Sequence, residues 1–473
     1  MIGRSNEAGV VMGSGSRIRF AAGAFLASFL AAGSAGAHDF QLAAQAAQAA
    51  APATAAPGSV LFRNVRIFDG KSGRVTGPSD VLVRGNKIER IGTGLAPEPA
   101  TKVIDGGGRV LMPGLIDAHW HSMMAAPSLG AILTGDQRYL TAIAAAESTR
   151  TLMRGFTTVR DVGGNSFGLK QAVDEGVLPG PRIYPSGAMI TVTSGHGDFR
   201  PASELPRTMG APGSTDLDGD TAIADSPDEV RMRVREQLMR GASQIKLTAG
   251  GGVSSPHSPL DAVTFTPAEL RAATEAAGNW GTYVTVHAYT PAAVREAIEA
   301  GVKVIEHGSL MDDDTARLIS QKGIWLSIQP FPHELGNAFP PGSLERAKFE
   351  EVFTGNNHAY ELAKKYRLKT AWGTDVLFSA ALATQQGAIL ASLTRWYTPG
   401  EALAMATGTN GELLQLTGKR NPYPGTLGVV QEGALADLLL VDGDPVADIS
   451  LITRPEQSFK IIMKDGVIYK DTL

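Results

Sequence analysis

The strongest constraint on the fold of this chain is where its strand-like apolar runs stop. VLMPGLIDAHWH, QIKLTAGG, YVTVHAYT, VKVIEHGS and KTAWGTD each close on residues able to hold a metal or move a proton: His119 and His121, Lys246, His287, His307 and Asp375. Residues so distant in sequence meet at one point if their strands run parallel and present their C-terminal ends on one face. Strands are expected around 110–118, 156–162, 182–187, 244–250, 283–288, 303–307, 324–329 and 370–375. Helical segments such as SPDEVRMRVREQLMRGA, TPAELRAATEAAGNWG and TPAAVREAIEAG lie between them. Thr266-Pro267-x-x-Glu269 and Ser226-Pro227-Asp228-Glu229 read as helix starts with proline at the first helical position. This alternation predicts an α/β fold, a (β/α)8 barrel of the TIM type over 112–414. The rival is a doubly wound open sheet, which would not bring strand ends one, four, five, six and eight to a common centre.

The chain ends have a different texture. VLFRNVRIFDG, DVLVRGNKIERIG and KVIDGGGRVLMPG are short alternating strands with Gly and Asp-Gly turns, and GVVQEGALADLLLVDGDP and FKIIMKDGVIYKD repeat the pattern at the C-terminus. Pieces this short need partners to bury a face. They are expected to complete one small β-sandwich domain, 58–111 plus 415–473. The stretch 196–222 is Gly/Pro/Asp-rich without periodicity and is expected to form a functional loop, a lid or substrate wall.

Residues 1–37 have the layout of a secretory signal, with Arg4, Arg17 and Arg19 before the apolar run FAAGAFLASFLAAG and an A-x-A site at Ala35-Gly36-Ala37. Cleavage is expected after Ala37, giving a periplasmic or secreted protein; the start codon is Met1 or Met12. Residues 38–57 are an Ala/Gln-rich linker. The run is short for a membrane span, so no membrane association is expected of the mature form. A net charge of −4 with interspersed signs argues against nucleic-acid binding. The absence of cysteine excludes thiolate sites and leaves His, Asp, Glu and carboxylated Lys as metal ligands.

His119 and His121 lie two apart on a strand and so point the same way. Lys246, buried near cations, would have a lowered pKa, and a neutral amine can take up carbon dioxide to give a carbamate that bridges two ions. His287 and His307 suit the second ion. The expected cofactors are therefore two divalent metal ions, hard ions or zinc, with carboxylated Lys246 between them. Asp375 would ligate the first ion, take a proton from metal-activated water and pass it to the leaving group. His196 could hold the scissile carbonyl or a substrate carboxylate, and the Tyr289 hydroxyl could polarise the carbonyl. Arg160 and Asp161 are read as an internal ion pair, His257 and His333 as loop residues near the cavity mouth, and His358 as a surface residue.

In this order, PGLIDAHWH, the strand-end lysine, VHAYT, IEHGS and GTD resemble the amidohydrolase superfamily across residues 58–473. TTVRDVGG, SGHGD and KLTAGGGV are similar to its prolidase-like, imidazolonepropionase-related branch. The resemblance implies a two-zinc hydrolase that cleaves the amide bond to a C-terminal amino acid. Its substrates would be dipeptides or N-acyl amino acids, including ochratoxin A, split to ochratoxin alpha and phenylalanine. It also implies a homo-oligomer, with an octamer among the options. Cyclic-amide opening or deamination is the alternative chemistry, and a non-catalytic binding barrel the alternative class. Lys246 counts against deamination, because the deaminase branches carry another residue at the fourth strand.

Overall fold

The computed structural model describes residues 58–201, 203–204, 212–255 and 257–473. The expected signal and linker lie outside them. Among the described residues no helix is long and apolar enough to cross a membrane.

Both chain ends build one sheet. Its strands are β1 (Val60–Ile67), β2 (Ser79–Arg84), β3 (Lys87–Gly92), β4 (Lys102–Asp105) and β5 (Val110–Pro113) from the N-terminal side. Near the C-terminus, Leu438–Val441, Phe459–Lys464 and Val467–Asp471 continue it, with Leu438–Val441 antiparallel to β5. Period-two alternation gives this sheet two buried faces. Leu111, Leu438, Leu440, Ile461 and Met463 join the sheet's own core. Val110, Met112, Leu439, Val441 and Phe459 face the larger core of the α/β part. Gly155, at φ 88°, is needed there, because a Cβ would stand 2.5 Å from the Phe459 ring.

The central strands are β6 (Leu115–Trp120), β7 (Phe156–Asp161), β8 (Arg182–Pro185), β9 (Met189–Thr191), β10 (Thr221–Ile223), β11 (Ile245–Thr248), β12 (Val284–Ala288), β13 (Val304–His307), β14 (Trp325–Ile328) and β15 (Lys369–Trp372). They form two parallel sheets, β6-β7-β8 and β10-β9-β11-β12-β13-β14-β15. The helices start where the sequence signals stand. Thr266 and Glu269 form a reciprocal capping box at Pro267–Asn279, and the Ser226 hydroxyl accepts the Glu229 amide at Pro227–Met239.

Three local expectations are corrected. The single strand expected over 110–118 is two strands divided at Gly114, and the first belongs to the terminal sheet. Gly114 lies so close to Thr157 that a Cβ would meet its hydroxyl at 2.1 Å. The strand expected over 182–187 ends at Pro185, and Gly187, at φ 73°, turns the chain into β9. β8 therefore pairs with β7, and β9 with β11. Within the expected loop 196–222 the helix Ser214–Asp218 and the start of β10 are ordered structure.

Candidate active site

All eight singled-out side chains, His119, His121, His196, Lys246, His287, Tyr289, His307 and Asp375, line one cavity of about 1090 Å3. His119 is in β6 with His121 just past its end, Lys246 is in β11, His287 in β12, and His307 closes β13. Asp375 lies three residues beyond β15, and its amide donates to the His119 carbonyl at 2.8 Å. His307 and Asp375 hold positive φ angles of 74° and 54°. The reversed backbone at His307 lets it and Glu306, neighbours on one strand, both reach the interior, which strict alternation would forbid.

The donor atoms of His119, His121 and Asp375 lie within 4.8 Å of one another. Asp375 Oδ1 is 3.2 Å from His119 Nε2 and 3.3 Å from His121 Nε2. The outer nitrogen of each ring faces a protein oxygen. His119 Nδ1 donates to Glu306 at 2.8 Å, His121 Nδ1 to the Gly163 carbonyl at 3.1 Å, and His307 Nδ1 to Gln329 Oε1 at 2.6 Å. His287 Nε2 donates to the Gly251 carbonyl at 2.9 Å. An acceptor on one nitrogen fixes the proton there and leaves the other lone pair for an ion. The donor set around His119, His121 and Asp375 thus fits a divalent metal.

Burial drives His307 down to about 3 and His196 down to about 4, with the Lys246 cation adding to the His196 shift. Burial also holds His287 well below the usual imidazole range. His119 stands above that range: burial opposes its charge, but Asp375 and Glu306 favour it. Asp375 is held well below the carboxylate range despite burial, chiefly by His119. Burial lowers the Lys246 ammonium to about 8.

Sequence reasoning missed Glu306. It is fully buried and bridges His119 and Arg160, whose Nη2 donates at 2.7 Å, and Thr285 donates to the same carboxylate. A carboxylate inside VKVIEHGS was the available signal, because a buried acid must be paired. The expected Arg160–Asp161 ion pair is corrected accordingly. Arg160 pairs with Glu306, while Asp161 accepts the Ser122 amide at 2.7 Å, and burial lifts it to about 6. His257 is exposed and bonds the Arg200 carbonyl at 2.9 Å, His333 stands 3.4 Å from Glu350, and His358 is exposed beside Glu361.

Beyond these groups the cavity wall is apolar and aromatic, with Phe199, Phe331, Phe339, Phe349 and Phe378 among its residues. Glu345 is its one charged side chain away from the histidines among the described residues.

Residues 110–470 match the amidohydrolase family. The chain is 30% identical over 390 residues to an ochratoxinase of Aspergillus niger, covering 76% of each protein. A crystal structure of an amidohydrolase superposes with a TM-score of 0.81 at 34% identity, covering 88% of this chain and 100% of that one. A prolidase complexed with N-methylphosphonate-L-proline gives 0.80 at 30% identity, with the same 88% and 100% coverage. With its strand-end histidines, lysine and aspartate gathered at one cavity, this chain belongs to the amidohydrolase family.

Proposed function

We propose that the protein is a binuclear metal-dependent amidohydrolase that cleaves the amide bond to a C-terminal amino acid, in a dipeptide or an N-acyl amino acid, ochratoxin A included. The observation that carries this reading is the convergence of six ligand-type side chains on one cavity, each of its four imidazoles oriented by a protein oxygen. In this reading the two parallel sheets are arcs of one (β/α)8 ring. The Asp375–His119 main-chain bond joins the arcs on one side. On the other, the Gln244 amide donates to the Asp161 and Tyr184 carbonyls across the bend.

His119, His121 and Asp375 would hold one divalent ion, and His287 and His307 the other. The second pair meets a carboxylate only at longer range, with Asp375 Oδ2 4.0 Å from His307 Nδ1, and a carboxylated Lys246 would add an anion there. Its depressed pKa supports a neutral amine that takes up carbon dioxide. When bound, a zinc pair supplies an activated water and an electrophile for the carbonyl. Asp375, aimed at the imidazoles and kept ionised, takes the proton and returns it to the departing amine. Burial keeps the Tyr289 phenol protonated, so it can donate to the carbonyl oxygen. His196 lines the cavity, where its ring could meet the substrate, while its Nδ1 is buried against Gly252 without a hydrogen-bond partner. The aromatic wall has room for a bulky acyl group, in keeping with a relative named ochratoxinase.

The test is a mass-spectrometric screen of dipeptides and N-acyl amino acids, with an aryl amide of phenylalanine among them, using zinc-loaded protein. Release of the free C-terminal amino acid is expected. Ammonia release or ring opening without a free amino acid would overturn the assignment and identify the alternative chemistry.

A further inference from the structure

The His287/His307 side of the cavity is backed by a helix that contributes no ligand. Leu344–Lys365 begins at Ser343, whose hydroxyl accepts the Arg346 amide, and its Phe349 and Val352 line the cavity wall. Lys348, one residue before Phe349, is 5% exposed. Its ammonium donates to three main-chain carbonyls of one loop, Ser258 at 2.7 Å, Ser255 at 3.1 Å and Gly252 at 3.4 Å. An ammonium has three protons, so its donors are spent on this loop.

That loop is also the support of two cavity imidazoles. Its Gly251 carbonyl takes the His287 Nε2 proton, and Gly252 lies against His196 so closely that a Cβ would be 2.0 Å from Nδ1. Two turns further along the helix, Asn356 donates to the Gln329 carbonyl at 2.7 Å, and the Gln329 side chain orients His307. Gly355 lets the helix approach this closely, since a Cβ there would stand 2.5 Å from the Ser309 carbonyl.

We infer that Leu344–Lys365 is the positioning element for the His287/His307 half of the site, acting through Lys348 on the loop under His287 and through Asn356 on Gln329. The inference rests on the metal-site reading above for its catalytic consequence and on the protein's own geometry alone for its structural one. The helix also forms part of the acyl wall, so it couples the substrate's apolar group to the geometry of two ligands.

The experiment uses Lys348→Met, Lys348→Arg and Asn356→Leu in the full chain. In metal-free protein, Lys348→Met should speed hydrogen exchange across 250–259 by at least about tenfold, on the scale of one lost charge-assisted bond. Exchange in the terminal sheet should stay unchanged. Affinity for the second zinc equivalent should fall about 10- to 100-fold in Lys348→Met and Asn356→Leu, with the first equivalent retained and partial recovery in Lys348→Arg. With an amide substrate, kcat should fall while KM moves little. Unchanged exchange and unchanged zinc affinity in a folded Lys348→Met overturn the inference. Should that variant fail to fold, unchanged second-equivalent affinity in Asn356→Leu does so. Exchange and zinc binding are read without turnover, so a failure of the amide-hydrolysis proposal leaves these outcomes decisive.

Discussion

Around His119 and His121 the site is rich in carboxylates, whereas the His287/His307 side stands by Lys246 and meets Asp375 only at longer range, with its Oδ2 4.0 Å from His307 Nδ1. Asp375 faces the first pair directly, Glu306 anchors His119 from behind, and Asp161 lies next to His121. On the other side the outer nitrogens rest on an amide side chain and a main-chain carbonyl, both neutral. A dication entering the first half finds negative charge in place. In the second it finds two neutral rings, Lys246 and the more distant Asp375 carboxylate. Both halves line one cavity, and the second presents the weaker negative field to a cation. In the proposed reading, carboxylation of Lys246 would turn the repulsive group of the second half into an anion.

Lys246→Ala should have the largest effect. It is expected to drop zinc from two equivalents to one and to abolish hydrolysis, with short carboxylates such as acetate or propionate restoring part of both. Metal analysis and an amino-acid release assay read the two together, and retained second-equivalent binding would break the contrast between the halves. Asp375→Asn should lower kcat by on the order of 10^2- to 10^4-fold, the span of a general acid–base group, while metal content stays largely intact. Retained turnover would remove its proton-shuttle role.

Glu306→Gln acts on the carboxylate-rich half from behind. Arg160 and Glu306 are both fully buried, so removing the acid leaves a guanidinium without its counter-charge. A loss of about 3–5 kcal/mol in denaturant unfolding is expected. A loss below 1 kcal/mol would show that the other partners of Arg160, the Ala118 carbonyl and Ser327, suffice.

Asp220 gives a smaller, pH-dependent effect on the same side. Burial raises its carboxyl from 3.8 to about 6, with Asp218 and Asp161 adding to the shift. Between these values the folded chain holds more protons than the unfolded one. Its ionisation therefore costs stability as pH rises through that window, and the penalty is complete above about pH 6. Asp220→Asn should raise stability at pH 8 by at most about 3 kcal/mol and leave it nearly unchanged near pH 3.5. Equal gains at both pH values would contradict the cause. The smallest effect is expected from His358→Ala, on the exposed face of the helix that carries Lys348. Stability should stay within about 0.5 kcal/mol and hydrolysis unchanged.

Side-chain alternation and strand-end position made the cavity residues legible in sequence, because VTVHAYT and LIDAHWH place donors at period two next to turns. The sheet shared by the two chain ends was legible for the same reason. The break at Gly114 was hidden, since VLMPGLIDAHWH is apolar throughout, and only the fit against Thr157 shows why the chain changes sheets there. The bend at Gly187 was hidden in the same way. Glu306 and the true partner of Arg160 depend on which strands adjoin across the interior, information that a single strand does not carry. Lys348 was invisible for a further reason: a lysine on an amphipathic helix reads as solvated, and only the loop folded over it supplies its three carbonyls.

The most direct measurement is a zinc titration of the metal-free protein that follows phenylalanine release from its aryl amide. The account predicts little release through the first equivalent and a steep rise as the second fills. Full release at one equivalent, or release that persists in the presence of a strong chelator, would contradict it.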